Sequence, residues 1–309
     1  MELVPFDERE GWIWMDGALV PWRDARLHVL THGLHYASAV FEGERAYNGR
    51  IYQLRTHTER LINSADILGF AVPFSAEQID TACKEVLAAN GLRDAYVRPI
   101  AWRGSEMLSV AAQRTSIHVA IAAWAWPSYF GGARTAGIRM AMAEWKRPPP
   151  ETTPTAAKAT GHYMIGTLSK HRAEQQGYDD ALMLDWRGRV AEATGANIFF
   201  VIDGELHTPD PDCFLDGITR RSVMDLARGR QMKVVERPIE AAEIGRATEA
   251  FLAGTAAEVT PVREIAGHSY APSRITETLV QDYAALVRQS PETARELTAF
   301  AELRARPRR

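Results

Sequence analysis

The chain has 309 residues, 46% of them hydrophobic and 24% charged, which is the balance of an ordinary globular protein. Its formal net charge of −3 gives no electrostatic reason to expect nucleic acid or a membrane surface as a partner. Two cysteines, with no Cys-x-x-Cys pair and no His/Cys cluster, predict a reduced, cytoplasmic protein without a bound metal. The first ten residues lack the apolar segment of a signal peptide, and no apolar run is long enough to cross a bilayer.

The length fits two domains better than one. Glycine and proline interrupt the hydrophobic pattern between residues 127 and 137, with Gly131-Gly132 at the centre of this stretch. We therefore predict a smaller N-terminal α+β domain over residues 1–130, an interdomain loop over 131–137 and a larger C-terminal domain over 138–309.

The N-terminal part is predicted to begin with two hairpins. Asp16-Gly17 and Asn48-Gly49 supply the positive φ angles that type I′ turns require. They join predicted strands at 12–15 and 18–20, and at 39–47 and 51–54. Two amphipathic helices follow, one with Leu61, Ala65 and Leu68 on one face, the other ending at Asn90-Gly91. Strands at 96–102 and 116–126 complete the domain.

The C-terminal part is predicted to alternate short strands with helices. A proline-rich loop over residues 147–154 comes first and cannot be a helix or a central strand. We predict helices at 163–176, 219–230 and 275–288, and strands at 181–186, 197–202, 233–236 and 250–253.

The segment Thr155-Ala156-Ala157-Lys158 surrounds a lysine with small residues. Small neighbours let a flat ring approach the backbone, and a lysine there is well placed to form a Schiff base. A lone lysine is more often a surface residue. The function of Lys158 is therefore inferred from the segments that accompany it.

Four such segments occur elsewhere in the chain. Glu192 is predicted to lie in a small-residue loop before a buried strand, and Arg60 at a helix start. The segment 214–220 turns into a helix whose first amides could bind an anion. Gly254-Thr255-Ala256-Ala257 is predicted to end a strand in another anion-binding turn. Each segment alone is more often an ordinary turn.

Together, and in this order, the segments resemble the fold-type-IV (class IV) pyridoxal-phosphate aminotransferases, and among these the branched-chain amino acid aminotransferases. The resemblance runs from about Trp12 to about Val262. It implies an α+β or α/β chain of two domains with the active site at their interface. Its signature pieces are His32-Gly33-Leu34-His35-Tyr36, Val40-Phe41-Glu42-Gly43, Tyr96-Val97-Arg98-Pro99, Thr155-Ala156-Ala157-Lys158 and Gly254-Thr255-Ala256-Ala257-Glu258.

The resemblance implies pyridoxal 5'-phosphate as cofactor and a role for each cofactor-binding residue. Lys158 would bind the cofactor covalently and then move a proton, and Glu192 would face the pyridine nitrogen. Tyr163 would donate a hydrogen bond to the ring oxygen O3′, and Leu215 would pack on the ring face. The phosphate would be bound by Arg60, the amides of Ile218 and Thr219, and the Thr255 hydroxyl.

The resemblance also implies a substrate site for amino acids and 2-oxo acids. Tyr96, supported by Arg45, would hold the α-carboxylate together with the amides near Thr255 and Ala256. Arg98 would meet the distal carboxylate of glutamate. An apolar pocket for a branched side chain would be formed by Phe41, Gly43, Tyr36, Trp126, Tyr129 and Val110. Core packing is the alternative for each aromatic residue.

The resemblance further implies a homodimer, because Tyr36 and Val110 would reach the site of a second subunit. Two positions depart from the family: Glu44 replaces the usual aliphatic residue after Phe-Glu-Gly, and His162 stands where asparagine often precedes the tyrosine. Glu44 lies beside the pocket strand and puts the substrate range in question.

Three other functions compete with a branched-chain transaminase that uses 2-oxoglutarate. Other branches of the fold act as D-amino acid or (R)-amine transaminases or as aminodeoxychorismate lyases, but Tyr96-x-Arg98 with Phe41-Glu42-Gly43 favours the branched-chain branch. A non-catalytic scaffold would have lost Lys158 or Glu192, and both are present. A nicotinamide dehydrogenase would need a G-x-G-x-x-G turn after a strand, which the chain lacks.

Overall fold

The structure, a computed structural model, describes residues 4–126, 136–271 and 273–289. Its first part contains short 3-10 helices and one antiparallel sheet with helices on one face. The strands are β1 Trp12–Met15, β2 Ala18–Pro21, β3 Ala39–Phe41, β4 Glu44–Tyr47, β5 Arg50–Ile51, β6 Ala95–Arg103 and β7 Ile117–Ala125. The α-helices are α1 His32–Tyr36, α2 Leu54–Ile67 and α3 Ala76–Ala89.

The first sheet has the strand order β2-β1-β7-β6-β4-β5, and β3 also pairs with β6. Helices α2 and α3 cover one face of it, because Leu61, Ala65, Ile79, Cys83 and Val86 project from them into the core against strands β4, β6 and β7. The other face is left for the polar and aromatic side chains of β4 and β6. This face borders the candidate site described below.

The second part begins at β8 and contains a mixed sheet. Its strands are β8 Ile138–Met142, β9 Asp180–Leu184, β10 Val190–Ala193, β11 Asn197–Ile202, β12 Glu205–Thr208, β13 Val234–Glu236, β14 Glu249–Gly254, β15 Glu258–Ile265 and β16 His268–Ser269. Its helices are α4 Met164–Gln175, α5 Ile218–Gly229 and α6 Arg274–Arg288.

The second sheet runs β10-β9-β8-β15-β14-β11-β12-β13, with β16 paired to β15. Strand β8 is parallel to both of its neighbours, and β13 is parallel to β12, while the remaining pairs are antiparallel. Helices α5 and α6 pack on one face through Val223, Met224, Leu279 and Tyr283. The two-domain α+β architecture is thus confirmed.

The two sheets meet at the segment that carries Lys158. Ala159 forms an isolated antiparallel bridge with Val40, and the Phe41 amide donates to the Lys158 carbonyl at 3.1 Å. A second contact between the two sheets joins β4 to β15, where the Tyr47 hydroxyl donates to Glu258 at 2.7 Å. These contacts fix Lys158 between the two domains.

The predicted elements are found with four corrections. The predicted strand at 39–47 is interrupted at Glu42-Gly43, which separates β3 from β4, and Arg60 lies in the middle of α2 rather than at a helix start. Both glycine turns have positive φ at both residues, 48° and 103° at Asp16-Gly17 and 53° and 83° at Asn48-Gly49. The predicted strand at 51–54 is wrong beyond Ile51, because Gln53 adopts a left-handed conformation and α2 begins at Leu54. Glu192 lies on strand β10 rather than in a loop.

The boundaries of the two domains stay a prediction, since residues 127–135 lie outside the described residues. No helix within 4–126, 136–271 and 273–289 combines the length and the apolar character needed to cross a membrane.

Candidate active site

A cavity of about 500 Å³ lies between the two sheets. It is bordered by β3 and β6 of the first sheet and by β10, the start of α5 and the turn after β14 of the second. The structure brings most of the predicted site residues to its wall: Phe41, Gly43, Arg60, Tyr96, Arg98, Trp126, Lys158, Tyr163, Glu192, Leu215, Ile218, Thr219, Thr255 and Ala256.

Lys158 is fixed on both sides of its backbone and points its amine into the cavity. Its amide donates to Ser64 Oγ on α2 at 3.0 Å, while its neighbours Ala157 and Ala159 are buried. The amine donates to the Tyr163 hydroxyl at 2.8 Å and lies 4.8 Å from the ring centre of Phe41. Lys158 and Tyr163, which were predicted as two separate cofactor contacts, are thus joined by a direct hydrogen bond.

Glu192 is buried on the cavity wall, and its carboxylate contacts two side chains. Oε1 lies 2.9 Å from Arg147 Nη2, and Oε2 accepts from Asn197 Nδ2 at 3.3 Å. Burial raises the pKa of Glu192, while the positive charges of Arg147 and Lys158 act against this rise.

Arg147 was not identified from the sequence. Its partner Glu192 is distant along the chain, so only the fold brings the two together. The only local signal was the run of prolines that follows it, which restricts Arg147 to an extended backbone.

The N-terminus of α5 and the turn after β14 form one polar end of the cavity. Ile218 and Thr219 are the first helical residues, and amides at this position have no partner within the helix. Thr255 lies across from them in the turn that follows β14. Backbone donors and a helix N-terminus together favour a dianionic group such as a phosphate.

Arg60 borders the same cavity and is held from below by Glu42. Its Nε donates to Oε1 at 2.6 Å and its Nη2 to Oε2 at 2.8 Å. Glu42 is fully buried and also contacts His57 Nδ1 at 2.6 Å. Burial opposes ionisation of Glu42, but the charges of Arg60 and then His57 hold its pKa well below the usual range. The sequence motif contains Glu42, but its pairing with Arg60 was not predicted.

A further part of the cavity wall is aromatic and carries Arg98. Tyr96 is buried, with its ring 4.8 Å from that of Trp126. Its hydroxyl accepts from Arg98 Nη2 at 3.0 Å, and Arg98 also lies over the ring of Phe41 at 4.6 Å. A side chain at Gly43 would overlap the Tyr96 hydroxyl, so this position requires glycine.

Three predicted substrate residues are not brought to this wall, and the position of a fourth is not described. Arg45 faces Glu258 at 3.6 Å, and the hydrogen bond to Tyr96 comes from Arg98 instead. Tyr36 and Val110 lie on the protein surface, 46% and 86% exposed. Tyr129 lies outside the described residues.

These elements match a known family along most of the chain. Residues 39–265 match the class IV amino-transferase family. The chain belongs to this family.

Several proteins similar to this chain are named branched-chain aminotransferases. The chain is 42% identical over 297 residues to the branched-chain-amino-acid aminotransferase of Pseudomonas aeruginosa, covering 94% of this chain and 97% of that protein. A crystal structure of the branched-chain aminotransferase from the thermophilic archaeon Thermoproteus uzoniensis with norvaline is 37% identical, with a TM-score of 0.88 over 92% of this chain and 97% of that one.

A third relative is described with its cofactor. The crystal structure of the branched-chain amino acid aminotransferase from Thermobaculum terrenum, in its PLP-form (holo-form), is 31% identical to this chain. Its TM-score is 0.83, with 91% of this chain and 95% of that chain covered.

The residues of this cavity fit pyridoxal 5'-phosphate. An amine at Lys158 and a hydroxyl at Tyr163 lie at the centre, a carboxylate at Glu192 on one wall, and a helix N-terminus with Arg60 at the polar end. These are the donors and acceptors that an aldehyde, a phenolic oxygen, a pyridine nitrogen and a phosphate need. The cofactor prediction is thereby supported by the chemistry of the site as well as by the family.

Proposed function

We propose that this protein is a pyridoxal-phosphate-dependent transaminase that moves the amino group between the branched-chain L-amino acids leucine, isoleucine and valine and 2-oxoglutarate. The observation that carries the proposal is the Lys158 amine, 2.8 Å from the Tyr163 hydroxyl in a cavity with an aromatic part and a polar end. The branched-chain name of the relatives supports the substrate class.

Lys158 would be the residue that binds the cofactor and moves the proton. When bound, the cofactor supplies a carbonyl carbon for the amino group and an electron-withdrawing ring. The Lys158 amine, whose backbone is fixed by the bond from its amide to Ser64 Oγ, would take the proton from the substrate Cα and deliver it to the cofactor C4′, on the other side of the amino nitrogen. Tyr163 would receive the hydrogen bond that fixes the amine between these two positions.

Glu192 would hold a proton on the pyridine nitrogen. A carboxylate placed against that nitrogen stabilises the protonated ring, and its burial strengthens the interaction. The phosphate would lie at the other end, against Ile218, Thr219 and Thr255, with the charge of Arg60 beside it. Leu215 lines the same cavity and would pack on the ring face.

The aromatic part of the cavity wall would select the substrate. Phe41, Tyr96 and Trp126 offer apolar surface to a branched side chain, while the Tyr96 hydroxyl and the amides near Thr255 and Ala256 would bind the α-carboxylate. Arg98 would pair with the distal carboxylate of glutamate. It lies over aromatic rings, so the same pocket offers a cation to glutamate and hydrocarbon to leucine.

A homodimer is part of the proposal. Tyr36 and Val110 belong to two segments that His32 Nε2 joins by a hydrogen bond to the Ser109 carbonyl at 2.9 Å. Both segments expose large apolar side chains, and such a patch favours a protein interface. The residues concerned are Leu27, Val29, Leu30, Leu34, Tyr36, Leu108 and Val110.

A cytoplasmic location is proposed because neither of the two cysteines, Cys83 and Cys213, forms a disulfide. The substrates of the proposed reaction would be small molecules, namely amino acids and 2-oxo acids.

A panel of amino donors with 2-oxoglutarate tests the proposed function. We expect leucine, isoleucine and valine to be the best donors and the L enantiomers to be used. Preference for D-amino acids or for simple (R)-amines would overturn the assignment. Release of pyruvate from aminodeoxychorismate without amino transfer would replace it by the lyase reaction of the same fold.

A further inference from the structure

Arg147 lies between two groups that would tune the bound cofactor. Its own amide donates to the Leu184 carbonyl at 2.8 Å, and it forms an isolated parallel bridge with Asp185. This main-chain pairing with the end of β9 fixes the first residue of the proline-rich loop. The side chain is only 8% exposed and is therefore held inside the protein.

The guanidinium of Arg147 has two partners. Nη2 lies 2.9 Å from Glu192 Oε1, and Nη1 donates to the His162 carbonyl at 3.2 Å. His162 immediately precedes Tyr163 in the short 3-10 helix Thr160–Tyr163. One cation thus connects the proposed partner of the ring nitrogen to the turn that carries the tyrosine.

Glu192 borders two cavities, so its carboxylate has room to move and needs an anchor to hold it in place. Besides the central cavity, it borders a second cavity of about 340 Å³ that Thr152, Thr153 and Thr155 also line. Asn197 contributes one longer bond, at 3.3 Å. The carboxylate could therefore rotate away from the central cavity if Arg147 did not bind it.

The electrostatics point in the same direction. Burial raises the pKa of Glu192, and Arg147 is the larger of the two charges that oppose this effect, followed by Lys158. A third titratable neighbour, Cys213, has its pKa raised to about 12 by burial and nearby carboxylates, and its thiol stays neutral near pH 7. Arg147 is therefore the main group that favours the charged carboxylate.

We propose, on the basis of the proposed function, that Arg147 is a positioning residue that holds Glu192 ionised and aimed at the cofactor ring. It would act through Glu192 and through the His162–Tyr163 turn, without touching the substrate. A guanidinium suits this place because it carries a positive charge and presents several donors in one plane, so that one side chain binds both the carboxylate and the carbonyl.

The test uses the cofactor-loaded protein with Arg147→Met and Arg147→Lys. The readout is the nitrogen NMR shift of cofactor labelled with ¹⁵N at the ring nitrogen, recorded across pH. We expect the wild type to show a protonated ring nitrogen at neutral pH and Arg147→Met to lose that proton at lower pH. The half-reaction with leucine should fall roughly tenfold to a hundredfold in Arg147→Met, since a charge-assisted bond is lost.

The second variant and a control separate this role from a structural one. Arg147→Lys keeps the charge and should recover much of the ring protonation even if it folds less stably. Arg139→Met removes a guanidinium that pairs with Glu264 at 2.6 Å and lines neither cavity, and it should leave the nitrogen shift unchanged. An Arg147→Met protein with the wild-type nitrogen titration would overturn the proposal. A wild-type protein that binds no cofactor would instead refute the proposed function.

Discussion

Glu42 and Arg60 form a two-pronged ion pair beneath the cavity, with oxygen–nitrogen distances of 2.6 and 2.8 Å. Glu42 is fully buried, and the Arg60 side chain is 16% exposed. The Glu42 carboxylate therefore fixes Arg60, the arginine of α2 that is proposed to bind the phosphate. It also compensates a charge that would otherwise be costly to bury.

Glu42→Gln should destabilise the protein strongly. Breaking a buried ion pair from one side typically costs about 3–5 kcal/mol, because the partner charge is left uncompensated. Urea unfolding of the cofactor-free protein measures this loss. Glu264→Gln is the matched control, because it breaks a partly exposed pair with Arg139, which should cost about 1 kcal/mol or less. Equal losses in the two variants would show that the Glu42 pair has no special structural role.

Glu44 should make the protein less stable as the pH rises. It is buried in the core of the first domain, where the Cys83 thiol is its hydrogen-bonding neighbour and no cation pairs with it among the described residues. Burial, and then the charge of Glu42, raise its pKa well above the usual range, and Asp80 adds to this rise, while the Cys83 hydrogen bond and the Arg60 charge oppose it.

The sign of this effect follows from proton binding. Above the usual carboxyl pKa the unfolded chain has released the Glu44 proton while the folded protein still holds it. The stabilising contribution is thus complete at acidic pH and declines as the pH rises toward the folded-state pKa. Glu44→Leu should remove this decline. The melting temperature of the variant, relative to that of the wild type, should therefore rise between about pH 5 and pH 8. Glu85→Gln, an exposed change on α3, should follow the wild type. A parallel pH dependence in Glu44→Leu would contradict a protonated Glu44.

Gly43→Ala should impair substrate binding. The added methyl group would overlap the Tyr96 hydroxyl, and the Tyr96 ring cannot shift easily because it lies against Trp124 and Trp126 at 5.1 and 4.8 Å. Overpacking of this kind costs about 1–3 kcal/mol, so kcat/KM for leucine should fall about tenfold or more. Gly229→Ala places its methyl group in open space and should leave kcat/KM unchanged. A Gly43→Ala protein as active as Gly229→Ala would show that Tyr96 does not touch the substrate.

Arg98→Met should separate the two amino donors. The charge-assisted pair with the distal carboxylate of glutamate is worth roughly 1.5–3 kcal/mol, so kcat/KM for glutamate and 2-oxoglutarate should fall on the order of tenfold to a hundredfold. The half-reaction with leucine should fall much less. Tyr96→Phe is the contrasting variant, because it keeps the Arg98 charge and removes the hydroxyl proposed to bind the α-carboxylate, and it should therefore weaken leucine and glutamate alike. Equal losses for leucine and glutamate in Arg98→Met would mean that Arg98 serves the α-carboxylate or the fold.

The parts of the fold that are set by residues close together in the sequence were predictable from it. The turns at Asp16-Gly17 and Asn48-Gly49 follow from local backbone preference, and Ile79, Cys83 and Val86 mark the buried face of α3 by their spacing. The left-handed Gln53 was not predictable, because this conformation is uncommon for residues other than glycine. The strand was therefore extended too far.

The residues of the site also fall into two groups, those that lie in local motifs and those that only the fold brings together. Lys158, Tyr163 and the start of α5 lie in short motifs and were recognisable. Arg147 and its bond to Glu192 depend on how β9, β10 and the proline-rich loop assemble, and no local pattern encodes such a contact. Tyr36 and Val110 remain predictions, because their proposed role needs a second subunit.

The central claim is that Lys158 binds the cofactor, and borohydride reduction of the cofactor-loaded protein tests it most directly. Reduction makes the link permanent, so peptide mass spectrometry can locate it. Lys170 is an internal control, because it lines the same cavity but donates to the Asp179 carbonyl at 2.6 Å. We predict the phosphopyridoxyl mass on the peptide that contains Lys158, none on that of Lys170, and no label in Lys158→Ala. Label on Lys170, or on no lysine after reconstitution with the cofactor, would contradict the account.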